Sequence, residues 1–588
     1  MTDRAYVWHR RGAAARPRRA KRAWRAHVPD ILLARRQELT ALGRRTRQVV
    51  VFAVLTGVLT GYAVALFDWA VREQLFRWLI DDAPAAVQDV APLLGLAIAA
   101  VVLGTLGRGA SPSTADEYIR NFHDTGTRLD LRPVPARLVA SAATLGFGGA
   151  MGFEGPSIYL GAAIGSGLQR RFSRFFSRDD SKLLLVCGAA AGVAAIFKAP
   201  ATGLVFALEV PYQEDFARRM LLPAGLAAAV SYIAFVSVAG TTPLFQVNGA
   251  PPFDLKDIGG AVLLGVLCGI GARLFTRALV LAKQRASRTH PLVRVLVGGG
   301  VLVVLALVSR HVFHEPLTLG AGYRNLEWAF DPKRSVALVL GLFAFRAVAT
   351  TATVGGGGAG GLFIPLVILG ALLGRSVEGL FHAADSSFFP LIGVSAFLGA
   401  GYRVPLAGVV FAAEATGRPG FIVPGLIAAV VAQLFMGRAS ASPYQVASRA
   451  GHLERRFDLP ITTALRTDVN VMPPDTTLSE FFWNHLIGSR ERAVAVVDGS
   501  RFLGVMRIEE LQDVAQDRWD DMTVEEAMRT DFPTVDPACT LRDALAAMET
   551  ADVDLLPVVD SEAHFVGVVT TDEVLRLDEI LGQTDPGE

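Results

Sequence analysis

Between Val49 and Met436 the chain carries apolar runs too long and too many for a soluble core. They are Val49–Phe67, Ala91–Leu106, Leu183–Val210, Leu221–Ala239, Gly259–Val280, Val293–Val308 and Pro424–Met436. A straight helix needs about 20 apolar residues to cross a bilayer core. Several runs reach that length, and others are shorter and interrupted by Gly or Pro. The mixture predicts a polytopic membrane protein with broken helices. A mean hydropathy of +0.39 and 52% hydrophobic residues agree with that class. The near-neutral net charge is the sum of three unlike regions. Arg4 to Arg47 holds 14 Lys/Arg against Asp30 and Glu38, the middle is apolar, and carboxylates return after His452. The basic segment 1–46 lacks the apolar stretch and cleavage site of a secretory signal. It reads as a cytoplasmic tail, solvated or lipid-contacting, and not as a nucleic-acid binder. Cys187, Cys268 and Cys539 form no metal or disulfide pattern.

The apolar region contains a repeat. Gly146–Gly165, GFGGAMGFEGPSIYLGAAIG, aligns without gaps on Gly355–Gly374, GGGGAGGLFIPLVILGALLG, with ten of twenty positions identical. Upstream, Arg137 and Thr144 meet Arg346 and Thr353. Downstream, KAPATGLVFALE (Lys198–Glu209) matches RVPLAGVVFAAE (Arg403–Glu414) at six of twelve positions. Two related halves predict a pseudo-twofold transporter or channel whose broken helices meet near the midplane.

The repeat singles out Glu154. Pro156 and Pro365 occur in both copies and serve the shared scaffold, but Glu154 faces Phe363 in the second copy. A membrane carboxylate costs about 2.5–3.5 kcal/mol on insertion scales. One that the scaffold does not require is read as functional. Glu209 and Glu414 occur in both halves, at the ends of apolar helices, and are read as structural.

GFEGP and GLFIP (Gly361–Pro365) each place free backbone N–H groups just before an apolar helix. Such ends bind anions without a fixed cation, which suits rapid passage. Glu154, itself an anion, can occupy such a site when ionised and leave it when protonated. GGGGAGG (Gly355–Gly361) is not a phosphate loop, because no Lys-Ser/Thr follows it.

These motifs resemble the CLC family of chloride channels and proton/chloride antiporters. GFEGP is similar to its gating-glutamate motif and GLFIP to its G-x-F-x-P. FKAPATGLVFALEV (Phe197–Val210), LGAGY (Leu319–Tyr323) and SPYQ (Ser442–Gln445) follow in order. The resemblance covers about 47–450. It implies Glu154 as the gate and an anion path along the backbone of Phe153, Gly155, Leu362, Phe363 and Ile364, with the Tyr444 hydroxyl on the central anion. The early selectivity motif is poorly kept in GRGASPSTADEYIRNFH (Gly107–His123). Ser113 is placed as its anion-facing serine, with Ser111 as the alternative. Phe153 replaces the family's usual basic residue, so a positive charge at the outer mouth is expected to be lost. Val210 stands where antiporters of the family carry an inner, proton-passing glutamate.

After Ala450 a second repeat begins. Ala464–Leu478 matches Ala527–Leu541 at an offset of 63, and Phe502–Leu511 matches Phe565–Leu575. Each unit reads helix, strand, strand, helix and resembles a tandem CBS pair. The resemblance implies adenine nucleotide as a candidate ligand, with Thr570 and Glu573 (Asp572 as the alternative) at the second copy. In the first copy Arg507 replaces the hydroxyl residue. Structural pairing without ligand is the competing reading.

The expected architecture is an all-α polytopic membrane domain with two inverted-repeat halves, followed by a cytoplasmic α/β tandem CBS domain. The segments are a tail at 1–46, a membrane domain at 47–440 (halves 47–240 and 256–440), a linker at 441–459, and CBS units at 460–522 and 523–583. The resemblance implies a homodimer in the cell membrane, with both termini cytoplasmic and no required cofactor. Val210 favours passive anion conduction. Proton/chloride antiport is the alternative. A CBS-regulated membrane metalloenzyme is disfavoured, because HEPLT (His314–Thr318) lacks a second His.

Overall fold

The structure, a computed structural model, describes residues 47–576 apart from 125–128, 177–181, 243–254, 331–333, 382–386, 448–458, 490–492 and 575. The basic segment 1–46 and the end of the second CBS unit lie outside the described residues. Two compact units divide at Ser448/Arg449.

The first unit is helical. Its first half holds α1 (Arg47–Asp81), α2 (Ala85–Gly104), α3 (Ala115–His123), α4 (Val134–Gly146), α5 (Glu154–Arg171), α6 (Leu183–Phe197), α7 (Pro200–Glu209) and α8 (Leu221–Ala239). Its second half holds α9 (Leu255–Arg288), α10 (Pro291–Phe313), α11 (Tyr323–Phe330), α12 (Val336–Gly355), α13 (Phe363–Phe381), α14 (Phe388–Tyr402), α15 (Pro405–Thr416) and α16 (Ile422–Met436). Helices α1, α2, α8, α9, α10 and α12 are long and apolar enough to cross a membrane. Their outward faces carry bare apolar side chains such as Val101, Leu222 and Val297, as lipid contact requires. Helices α6 and α14 are 15 residues each and buried along their whole length. At 1.5 Å per residue such a helix is about 22 Å long, short of the hydrocarbon thickness of about 30 Å.

The breaks have local causes. Lys198 and Arg403 end α6 and α14 in the left-handed region (φ 52° and 55°), and a proline two residues on opens α7 and α15. Proline there prevents the preceding helix from continuing and is already set for the next one. Gly148 and Gly357, at φ 86° and 87°, turn the chain after α4 and α12. A side chain at those two angles would be strained.

The halves are related by a pseudo-twofold axis that runs between Gly152 and Gly361. These equivalent residues form an antiparallel bridge, with Gly152 N to Gly361 O at 2.9 Å and Gly361 N to Gly152 O at 2.8 Å. The exchange repeats one turn away. Thr353 Oγ1 accepts from Ala150 N (3.1 Å), and Thr144 Oγ1 accepts from Ala359 N (3.0 Å).

Glu209 and Glu414 follow the same symmetry. Glu414 accepts from the amides of Ala201 (2.9 Å) and Thr202 (2.7 Å) and from the Thr202 hydroxyl (2.8 Å), capping α7. Glu209 accepts from Leu406 N (3.1 Å) and Ala407 N (2.8 Å), capping α15. Each carboxylate ends its own helix and caps the other half's, as the structural reading expects. The first amides of a helix have no partner inside it, and the dipole there favours a negative group. Glu414→Ala should lower unfolding stability by about 2–3 kcal/mol. A denaturation series in detergent checks this, and a change under about 0.5 kcal/mol contradicts the capping role.

The second unit contains a three-stranded sheet, β1 (Val471–Met472), β2 (Ala493–Asp498) and β3 (Arg501–Arg507). A hairpin follows, β4 (Leu555–Val559) and β5 (Phe565–Thr570). β1 runs parallel to β2, and the β2–β3 and β4–β5 pairs are antiparallel. The two copies exchange backbone across a second pseudo-twofold axis. Arg466, near the start of the first copy, pairs with Val568 in β5 at 2.9 and 3.0 Å. Its equivalent Arg529 pairs with Val505 in β3 at 3.0 and 3.1 Å. The equivalent rings Phe502 and Phe565 stack at 6.2 Å.

Candidate functional site

The axis through Gly152 and Gly361 brings the N-termini of α5 and α13 together. Glu154 is the first residue of α5, and Phe363, its repeat equivalent, is the first of α13. The Glu154 side chain crosses the axis, and its Oε1 accepts from Phe363 N at 2.5 Å, with the Ile364 amide also acting on it. The position that carries a carboxylate in one repeat thus supplies the backbone donor in the other. Glu154 is wholly buried, and Oε2 has no hydrogen-bond partner among the described residues. A Cβ on Gly361 would fall 2.0 Å from Oε1 and 2.5 Å from Gly155 N. One on Gly152 would fall 2.0 Å from Oε2. Both glycines are required by the close approach of backbone and carboxylate.

Aromatic rings enclose the α13 end of the site. Phe363 packs on Phe197 (4.4 Å between centroids), Phe411 (4.9 Å) and Phe206 (5.3 Å). Leu362, Phe363 and Ile364 are all buried. The dry walls make a helix-end charge count for more than it would in water.

The N-terminus of α3 is the third helix end here. Thr114 Oγ1 donates to Gly360 O at 3.1 Å, and a Cβ on Gly155 would lie 2.5 Å from the Thr114 hydroxyl. Ser113 is half-buried just before it. Ser111, the alternative, is exposed and engaged, because Arg137 donates to its carbonyl (3.0 Å) and its hydroxyl (3.3 Å). Arg137 also holds Tyr159 Oη (2.8 Å) and Glu117 (3.1 Å).

Tyr444 is 43% exposed. The Glu154 carboxylate acts on two tyrosines, buried Tyr402 and half-buried Tyr323, and Tyr402 also engages the Leu362 amide. Gln445, next to Tyr444, ties this region together by donating through Nε2 to the carbonyls of Val210 (2.7 Å), Tyr402 (2.7 Å) and Tyr212 (3.3 Å). Val210 is buried at the end of α7, and the neighbouring Glu209 carboxylate is committed to capping α15. No carboxylate stands in for Val210 among these contacts.

Phe153 is buried, with Phe67 edge-on at 6.4 Å. A cation does stand beside it: the Arg72 guanidinium, from α1, lies 4.8 Å above its ring. Phe153 itself brings no charge to this position, and the guanidinium beside it comes from another helix. Arg72, Thr114 and Tyr402 carry no local sequence signal for these roles, since each reaches the site from a distant element. Arg346, the repeat equivalent of Arg137, was visible only as a repeated arginine. It is 1% exposed and donates to the carbonyls of Leu317, Thr318, Gly320 and Ala321 at 3.4, 3.0, 3.0 and 3.0 Å.

The voltage gated chloride channel family matches residues 94–437, well over half of the chain. The chain belongs to that family. Its members are anion transporters and channels and not enzymes, and this chain is a membrane-embedded anion transporter of that kind. A CBS domain match covers residues 524–579. Among curated relatives, the H(+)/Cl(-) exchange transporter ClcA of Salmonella typhimurium is 28% identical over 435 residues, 69% of this chain and 89% of that protein. ClcA of Citrobacter koseri is 29% identical over 417 residues, 66% and 86%. Among solved structures, a slow cyanobacterial Cl-/H+ antiporter aligns with a TM-score of 0.58 at 23% identity, over 66% of this chain and 94% of that one. A eukaryotic CLC transporter aligns with a TM-score of 0.56 at 19% identity and covers 91% of this chain and 98% of that one. These structural likenesses carry the fold.

In the second unit, Thr570 ends β5, and its Oγ1 accepts from Glu573 N at 3.3 Å. Thr570 and Glu573 are half-buried and Asp572 is exposed. In the first copy the equivalent pair is Arg507 and Glu510, joined at 2.6 Å. The Glu510 carboxylate raises the Arg507 guanidinium above its ordinary value. The two groups satisfy each other, so Arg507 and Glu510 offer no counterpart of the Thr570 hydroxyl and Glu573 carboxylate.

Proposed function

We propose that the protein exchanges chloride for protons across the membrane, with Glu154 as the group both ions use. One observation carries the reading. The Glu154 carboxylate rests on the amides of Phe363 and Ile364, the donors that would bind a transported anion. A chloride ion and the carboxylate compete for these donors, and the displaced carboxylate becomes free to take a proton. The exchange transporters among the curated relatives support the same reading. Linkage makes it measurable: if chloride displaces a carboxylate that then protonates, chloride binding takes up protons. Calorimetric chloride titrations in two buffers of different ionisation enthalpy should give different heats. The Glu154→Gln variant should give the same heat in both. Buffer-independent heat from the unaltered protein would sink the proposal.

Passive conduction is the second reading, favoured by Val210. The exchange reading accordingly routes inner-side protons by a group other than residue 210. We further propose a homodimer with both termini cytoplasmic, and adenine nucleotide binding at Thr570 and Glu573, with Asp572 at the rim. Thr570→Ala with Glu573→Ala should weaken ATP binding at least tenfold in a titration of the full-length protein. Unchanged affinity, or no binding before substitution, would leave the pair a structural module.

A further inference from the structure

We propose that the cavity beside Phe153 is an antechamber for small monovalent anions and that Arg72 supplies its charge. The inference rests on anion transport by this family and not on the exchange reading.

The cavity holds about 260 Å3, with Phe153, Gly322, Tyr323 and Asn325 in its walls. Three guanidinium groups (Arg72, Arg77, Arg324) and two carboxylates (Glu73, Asp81) line it. Asp81 faces Arg324 at 3.6 Å, and Arg77 faces Asp82 at the same distance. Arg72 is placed differently. Its guanidinium is held between two rings, 4.8 Å from Phe153 and 5.2 Å from Tyr323. Its Nε is buried and has no hydrogen-bond partner among the described residues.

Asp68, one turn back on α1, anchors Arg72 at 3.0 Å. Asp68 lines a second, larger cavity of about 790 Å3, together with Lys198, and not the one beside Phe153. Arg72 lines both. The ion pair therefore presents its positive end to the side where Glu154 begins α5. A cation held against aromatic faces raises local anion concentration without contacting the amides of α13. This suits an ion waiting for the gate carboxylate to leave. Covering a guanidinium with aromatic faces also holds it in place at low entropic cost. In this way α1 delivers the cation that the gate sequence GFEGP lacks at Phe153.

The test is chloride efflux from liposomes across a range of chloride concentrations at constant ionic strength. Arg72→Gln should raise the half-saturating chloride concentration roughly fivefold and leave the maximal rate within about twofold, and Arg72→Lys should restore it. Moving the charge should work as well: Phe153→Arg added to Arg72→Gln should bring half-saturation back. If Arg72→Gln does not fold, Phe153→Arg alone should lower the half-saturating concentration. Unchanged half-saturation in Arg72→Gln, or a defect that neither Arg72→Lys nor the relocated charge recovers, would overturn the proposal. So would an unchanged Phe153→Arg where that variant stands alone.

Discussion

Glu154→Gln should move chloride and no protons. The amide keeps the shape of the carboxyl group and can still accept from Phe363 N, but it carries no charge and no exchangeable acid proton. A hydrogen bond to a charged acceptor contributes about 1.5–3 kcal/mol and a neutral one about 0.5–1.5 kcal/mol. The difference of roughly 1.4 kcal/mol corresponds to about a tenfold shift in favour of chloride at the α13 amides. The variant should therefore bind chloride about ten times more tightly than the unaltered protein. Its efflux should stay level across pH while that of the unaltered protein varies. Parallel chloride and pH electrodes on the same liposomes read both effects. Residual proton movement in the variant would mean that a group other than Glu154 carries the proton through the axis.

Arg346→Leu has the largest expected effect on stability. The guanidinium is fully buried and satisfies four carbonyls of the turn that precedes α11. Leucine fills part of the volume but leaves those oxygens without donors, at about 1–3 kcal/mol each, and relief of the buried charge offsets some of that. A net loss of about 4 kcal/mol is expected, with little or no folded protein at elevated temperature. Its repeat equivalent Arg137 has Glu117 as a counterion and a partly polar surrounding. Arg137→Leu should cost less than Arg346→Leu. Denaturation midpoints in detergent measure both, and the reverse order would show that the turn holds without its clamp.

Much of this site is legible in the sequence because the repeat supplies an internal comparison. Glu154 stands out because the scaffold places Phe363 at the equivalent position, and the axis then explains why the two meet. Glu209 and Glu414 are legible for the opposite reason, since a residue kept in both halves answers to the shared scaffold. What stays hidden depends on distance in space. Arg72 and Phe153 are 81 positions apart, and nothing in the local sequence of α1 marks the guanidinium that lies over the Phe153 ring. Tyr402 and Tyr444 differ in burial and not in local pattern. Ser111 and Ser113 are separated only by Arg137, which engages the first. In the second unit the loss of a site at Arg507 is legible, but its pairing with Glu510 is seen only once β3 and the following turn are placed.

Val210 makes the exchange reading a sharp claim, because it removes the residue type that would most simply pass a proton on the inner side. The measurement that tests it most directly is proton movement driven by a chloride gradient alone. Liposomes holding the unaltered protein would start with no pH difference and no membrane potential other than the one chloride sets. The exchange reading predicts uphill proton movement in fixed proportion to chloride, halted by the Glu154→Gln substitution. Rapid chloride efflux with no proton movement at all would contradict it and make the protein a channel.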